Sequence, residues 1–182
     1  MLGGLPKGVK VVGRSRLVIR GIAYRIRGLL DLRNPDVDMV RLLEHRLTEL
    51  GGTYHIASFD ELGDNEAVTF PDISEIHLRE DVYNALCAGD HRARFTVAHE
   101  FGHLVLHQGI SLGRNKQPGG HQHFEDSEWQ ADCFASEFLM PARMVAKDFT
   151  TASAISKAFN VSLEAAMVRI RVLQAEGLMR RS

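Results

Sequence analysis

The chain of 182 residues predicts an α+β fold: a small antiparallel β-sheet packed against helices, with a helical C-terminal part. Three observations carry that expectation. Apolar residues recur at helical spacing through two N-terminal segments. Short runs between residues 53 and 78 are rich in β-branched and aromatic residues and are bounded by turn residues. From residue 92 onward the apolar spacing is helical again and stays so.

Taken in order, the first dozen residues, with Gly3, Gly4, Pro6, Gly8 and Gly13, read as a loose lead-in. From Arg16, the positions of Val18, Ile22, Ile26 and Leu29/Leu30 predict a helix, against which Gly21 and Gly28 count. Asn34-Pro35 breaks it. Val37, Val40, Leu43, Leu47 and Leu50 then mark a second helix that stops at Gly51-Gly52. Strands are expected over Thr53–Phe59, Ala67–Phe70 and Ser74–Leu78, separated by Gly63-Asp64-Asn65 and Pro71-Asp72. A helix over about Arg92–His107 comes next, then a polar loop over 108–123 that contains Pro118. Another helix runs from about Glu125 to Leu139 and ends at Met140-Pro141. Thr151–Ser182 holds two short helices joined at Phe159-Asn160-Val161, with Ser162 as N-cap. The organisation this suggests is one main domain over 1–145, including the basic first helix, and a small helical part over 146–182 that resembles a helix-turn-helix.

Composition narrows the setting. With 45% apolar and 25% charged residues the chain can bury a core and still expose an ordinary soluble surface. A net charge of −1 does not suit a nucleic-acid binder overall. Residues 1–33, however, hold eight Lys/Arg against the single acidic Asp31, about +7, which leaves the remainder at about −8. That asymmetry calls for a partner or an internal contact, or else is a solvated helix face. Two cysteines, Cys87 and Cys133, make neither a disulfide framework nor the paired short spacings of a thiolate zinc site. No run of about 18 apolar residues exists and Met1–Gly13 lacks a signal-peptide pattern, so a soluble cytoplasmic protein is expected.

Chemistry concentrates at His99-Glu100-Phe101-Gly102-His103, inside the apolar run Phe95–His107. On a helix, positions i and i+4 share a face, so His99 and His103 can point at one metal ion. Glu100 then flanks the open position and can take a proton from bound water, the arrangement of metal-assisted peptide hydrolysis. A catalytic zinc usually takes a third protein ligand. His107 is a poor candidate, because eight residues of helix separate it from His99 by about 12 Å of axis. Glu128 and Asp132, again four apart, are better. Glu128 is the expected third ligand, and Asp132 accepts the outer N–H of a ligating histidine, fixing its ring; the converse assignment stays open. His121 and His123 could approach to bind substrate or steady an oxyanion, or be ordinary surface residues. Zinc is the expected ion, with manganese or iron possible at such a nitrogen and oxygen site.

With both segments in view, the chain resembles the ImmA/IrrE family of bacterial and phage metallopeptidases. The resemblance rests on Arg94-Phe95-Thr96-Val97-Ala98-His99-Glu100-Phe101-Gly102-His103, and on Glu128-Trp129-Gln130-Ala131-Asp132-Cys133-Phe134-Ala135 followed by Leu139-Met140-Pro141. It implies a zincin-like α+β peptidase domain with a helical C-terminal part. It also implies a site-specific endopeptidase whose substrate is a helix-turn-helix repressor, cleaved to release stress-response or mobile-element genes. On this view His99, His103 and Glu128 hold zinc, Glu100 is the base, and an edge strand within 67–79 pairs with extended substrate. Two other classes remain. The C-terminal helices could bind DNA, with Arg169 and Arg171 on the second of them, or simply pack on the main domain. Alternatively, zinc could only stabilise a non-proteolytic interaction module.

Overall fold

The computed structural model describes residues 7–110, 112 and 120–180; Gly3, Gly4, Pro6 and Pro118, with part of the expected loop 108–123, lie outside the described residues. Helix α1 (Arg16–Leu29) begins where Ser15 accepts from the Val18 N–H, and it buries Ile19, Ala23 and Arg27. After Pro35 comes α2 (Met39–Arg41), capped by Asp38. It runs on as a π turn (Leu42–Arg46) and a 3-10 turn (Leu47–Leu50) until Gly51, at φ 75°, closes it. The expected second helix is therefore present, with turns that apolar spacing cannot distinguish.

Strand β1 (Thr53–Ala57), the single-turn α3 (Phe59–Leu62), β2 (Ala67–Phe70) and β3 (Glu75–Arg79) follow. The α+β class holds, but the sheet is mixed rather than antiparallel: its order is β1-β3-β2, with β1 parallel and β2 antiparallel to β3. The cause is topological. A tight turn after Phe70 folds β3 back on β2, whereas residues 58–66 carry the chain across, so that β3 inserts between its two predecessors. One consequence matters for function: β2 is an edge strand, and it lies against the next long helix but one.

That helix is α5 (His91–Leu106), which follows α4 (Glu80–Cys87) and starts at Asp90, whose carboxylate accepts from the Ala93 N–H. It packs on α6 (Ser127–Leu139) through the rings of Phe101, Phe134 and Phe138. Gly102 permits the approach: a Cβ there would lie 3.1 Å from Phe134 Cδ1 and 3.2 Å from the Ala131 backbone. The pair is thus close enough for histidines on one helix to reach carboxylates on the other. The remaining helices are α7 (Ala142–Asp148), α8 (Ala152–Phe159) and α9 (Leu163–Ala175), with Ser162 accepting from the Ala165 N–H. The sequence reading does not include α3, α4 or α7; α3 is a single turn, whereas α4 does carry a helical step in its buried Val82 and Leu86.

The C-terminal helices share the main core. Ile155, Phe159, Ala166 and Leu173 join one buried cluster with Ile19, Val97 and Phe138. Arg94 ties their turn down, donating from Nε to the Asn160 carbonyl at 2.9 Å and from Nη2 to Asp36 at 2.6 Å. The basic N-terminal segment is likewise absorbed by internal contacts. Lys10 pairs with Glu125, Arg16 and Arg20 with Glu176, Arg20 with Glu137, and Arg27 donates to the Phe138 carbonyl. The lead-in expected to be loose is fastened over residues 8–14 alongside residues 124–127. There Val11 N–H donates to Glu125 O at 2.8 Å and Arg14 N–H to Phe124 O at 2.9 Å.

Candidate metal centre

Helical spacing places His99 and His103 on the face of α5 that meets α6, and Glu128 stands opposite in the first turn of α6. The Nε2 atoms of His99 and His103 are 3.0 Å apart. Glu128 Oε2 is 3.2 Å from His99 Nε2, and its Oε1 is 3.3 Å from His103 Nε2. Ligand bonds of about 2.0–2.2 Å in a tetrahedron put neighbouring donor atoms about 3.3–3.5 Å apart. The three side chains have nearly that spacing, so the donor set fits one small divalent ion.

Proton placement sharpens the fit. Asp132 Oδ1 lies 2.9 Å from His99 Nδ1 and accepts its N–H, which leaves the His99 Nε2 lone pair aimed at Glu128. A cation between them would bring the three lone pairs together; without one, a proton on His99 Nε2 takes that place and is donated to Glu128. The titration behaviour fits a proton in that place when no metal is bound. Burial lowers the His99 imidazolium, but its bonds to Asp132 and Glu128 outweigh that and raise it to about 10. Burial raises the Glu128 carboxyl, yet the bonds from His103 and His99 hold it well below the usual carboxylate range.

Glu100, next to His99 on α5, is buried. Its Oε2 accepts from Thr69 Oγ1 at 2.6 Å, which ties the carboxylate to edge strand β2. Thr69 was not foreseeable: 31 residues separate the two, and nothing in a β-branched strand residue marks it as a partner. His107 caps the end of α5 and is fully buried, with Nδ1 3.1 Å from His103 Nδ1 and Nε2 3.4 Å from Gln130 Oε1. It faces the outer nitrogen of His103 rather than the triangle. Burial, reinforced by His103, pushes the His107 imidazolium down to about 3, so the ring is neutral.

The two loop histidines sit elsewhere. His121 Nε2 is 3.0 Å from Asp126 Oδ2, beside the N-cap of α6, and His123 packs edge-on against Trp129 and Phe124. Arg169, a candidate for contacting DNA, is buried in a bidentate pair with Glu137 at 2.8 and 2.6 Å, while Arg171 is exposed. Burial pushes the Cys133 thiol up to about 12, so it stays protonated. It lines an open cleft of about 500 Å³ next to Asp132, walled by Phe95, Trp129, Met140, Val168 and Val172. Among the described residues, no helix is long and apolar enough to cross a membrane.

The sequence profile of the IrrE N-terminal-like domain, a peptidase family, matches residues 82–171, which include all of α5 and α6. Among solved structures, a Mycobacterium tuberculosis transcriptional regulator is similar in fold, with a TM-score of 0.55 and 19% identity over 86% of this chain and 47% of that one. The chain thus spans about half of that regulator's length. No curated protein matches the sequence.

Proposed function

The chain belongs, through residues 82–171, to the IrrE N-terminal-like family of metallopeptidases, and on that premise we propose a zinc-dependent endopeptidase acting in the cytoplasm on a helix-turn-helix repressor. The observation that carries the chemical part is the convergence of the His99 and His103 Nε2 atoms on the Glu128 carboxylate, with the Glu100 carboxylate on the same helix. His99, His103 and Glu128 would hold the ion. Its contribution when bound is Lewis acidity, which lowers the pKa of a water to about 7 and polarises the scissile carbonyl.

The chain's own residues supply the rest. Glu100, with Oε2 held by Thr69, has Oε1 left to accept the proton of the attacking water and return it to the departing amine nitrogen. Asp132 keeps the His99 proton on Nδ1, so that Nε2 stays bare. The outer edge of β2 would pair with the main chain of an extended substrate, and the apolar cleft beside Asp132 is roomy enough for a large apolar side chain. The repressor as substrate is supported by the two sequence blocks around His99 and Glu128.

Incubating the zinc-loaded protein with helix-turn-helix repressors from the same cell, followed by mass spectrometry, tests the reading. One internal cut is expected with wild type and none with Glu100→Gln. Binding without cutting by the wild type under every condition would instead indicate an interaction module in which zinc is structural.

A further inference from the structure

His99 and His103 present the same nitrogen to the same carboxylate but are backed by different groups. Behind His99 stands Asp132. Behind His103 stands a chain of hydrogen bonds whose direction can be read link by link from its far end. Gln130 Nε2 donates to the carbonyls of Val12 at 2.8 Å and Phe124 at 2.7 Å, and carbonyls only accept, so that end of the amide is the NH2. Its Oε1 accepts from Arg14 Nη1 at 3.0 Å and faces His107 Nε2 at 3.4 Å. Oε1 carries no proton, so His107 Nε2 must. His107 is fully buried, and its two ring nitrogens face His103 and Gln130, neither of them a carboxylate. The ring is therefore neutral with one N–H, which leaves Nδ1 bare. His103 Nδ1, 3.1 Å from it, must then be the donor, and His103 Nε2 is bare toward Glu128 and His99.

We propose that Arg14, Gln130 and His107 are positioning residues that fix the ring proton of His103 on Nδ1 and so make the N-terminal strap, residues 8–14, part of the metal centre. The inference rests on the metal-centre reading above. The strap is built to hold its place. Gly8 N–H donates to Asp126 Oδ2 at 2.9 Å and Val9 N–H to Ser127 Oγ at 3.1 Å. A Cβ at Gly8 would lie 2.3 Å from Ser127 Oγ and 2.8 Å from Glu128 Cγ, so the strap lies directly against the residue offered as third ligand. With both rings neutral, no other arrangement of donors satisfies Val12 O, Phe124 O, the Arg14 guanidinium and both imidazoles together. Support by a neutral imidazole and an amide, where a carboxylate is usual, also adds no further negative charge to a site that already holds Glu128, Glu100 and Asp132.

Zinc affinity by chelator competition tests the proposal, paired with a measurement that sees the hydrogen bond itself. His107→Leu should weaken zinc by about 10–100-fold, the range for lost partners of ligating residues. His107→Gln should recover most of that loss, because its amide can accept from His103 Nδ1 and donate to Gln130 Oε1. Arg14→Met, at the half-buried far end, should weaken zinc by a smaller factor with the core untouched, and it carries the test if His107→Leu fails to fold. In ¹⁵N-labelled wild type, a through-hydrogen-bond coupling between the Nδ1 atoms of His103 and His107 is expected, and it should vanish in His107→Leu. Equal zinc affinity for wild type, His107→Leu and Arg14→Met overturns the proposal, as does absence of the coupling. A wild type that takes up no zinc overturns the metal reading and, with it, the role of the strap, an outcome distinct from loss confined to the variants.

Discussion

Helix α6 carries two glutamates in opposite surroundings. Glu137, 1% exposed, receives Arg169 at 2.8 and 2.6 Å and Arg20 at 3.0 and 3.1 Å, so guanidinium donors meet both of its oxygens. Glu128, about two and a half turns earlier, has a side chain 40% exposed, and its oxygens face the Nε2 atoms of His99 and His103 at 3.2 and 3.3 Å. Burial alone would single out Glu137 as the unusual residue. Its charge is fully matched by the protein, and what it does is lock α9 and α1 onto α6. Glu128 faces two imidazole nitrogens that only a proton or a metal ion can join to it, so this part of the molecule is built to receive a cation. What a charged residue faces, more than how deeply it lies, separates the part that builds the fold from the part offered for chemistry.

The sharpest way to sharpen that contrast lies next to Glu128. Glu100→Gln should cut peptide cleavage by about 10²–10⁴-fold, the usual contribution of a general base, while zinc stoichiometry stays at the wild-type value by metal analysis. The two glutamates themselves should then give crossed results. Glu137→Ala leaves Arg169 buried without its partner and should cost about 3–5 kcal/mol in urea unfolding of the metal-free protein, with zinc still bound once the protein is folded. Glu128→Ala should lose zinc binding and cost the metal-free protein less stability than Glu137→Ala does. If both variants lost stability and kept zinc, the distinction would be broken.

Smaller effects follow from the supports. Asp132→Asn, which cannot hold the His99 proton as a carboxylate does, should weaken zinc by about 10–100-fold in a competition titration. The smallest effect is on pH. The folded-state value of His99 is raised to about 10 by Asp132 and Glu128 against burial, so in the metal-free protein its contribution to stability is present below the ordinary histidine value and is lost as pH rises through about 10. Zinc must displace that proton, so calorimetry near pH 7 in buffers of different ionisation enthalpy should show proton release on binding. Glu137 behaves oppositely. Burial raises its carboxyl, Arg169 and Arg20 outweigh that and lower it, and its contribution is present above the unfolded value and lost as pH falls through the depressed folded one.

The triangle of His99, His103 and Glu128 was legible in the sequence because each element needs only i, i+4 spacing on a helix, and helical spacing survives without tertiary information. The strands were legible as runs, but not their order, since which runs pair depends on where the connection 58–66 goes. Two other features could not be read. Arg14 and Gln130 meet across 116 residues, and Thr69 meets Glu100 across 31; neither pair has a spacing that a local pattern could report. Eight residues of helix separate His107 from His99, but the four-residue step from His103 places it against that ring's outer nitrogen. Gly102 and Ala131 have a role visible only in three dimensions: they let α5 and α6 come close enough for the ligands to meet.

The central claim is that Glu128 and its two histidines form one metal site while Glu137 does not. Zinc titration monitored by metal analysis on wild type, Glu128→Ala and Glu137→Gln tests it most directly. The account predicts one zinc per chain in wild type and in Glu137→Gln, and none retained in Glu128→Ala. A wild type without zinc, or a Glu128→Ala protein that keeps its full complement, would contradict it.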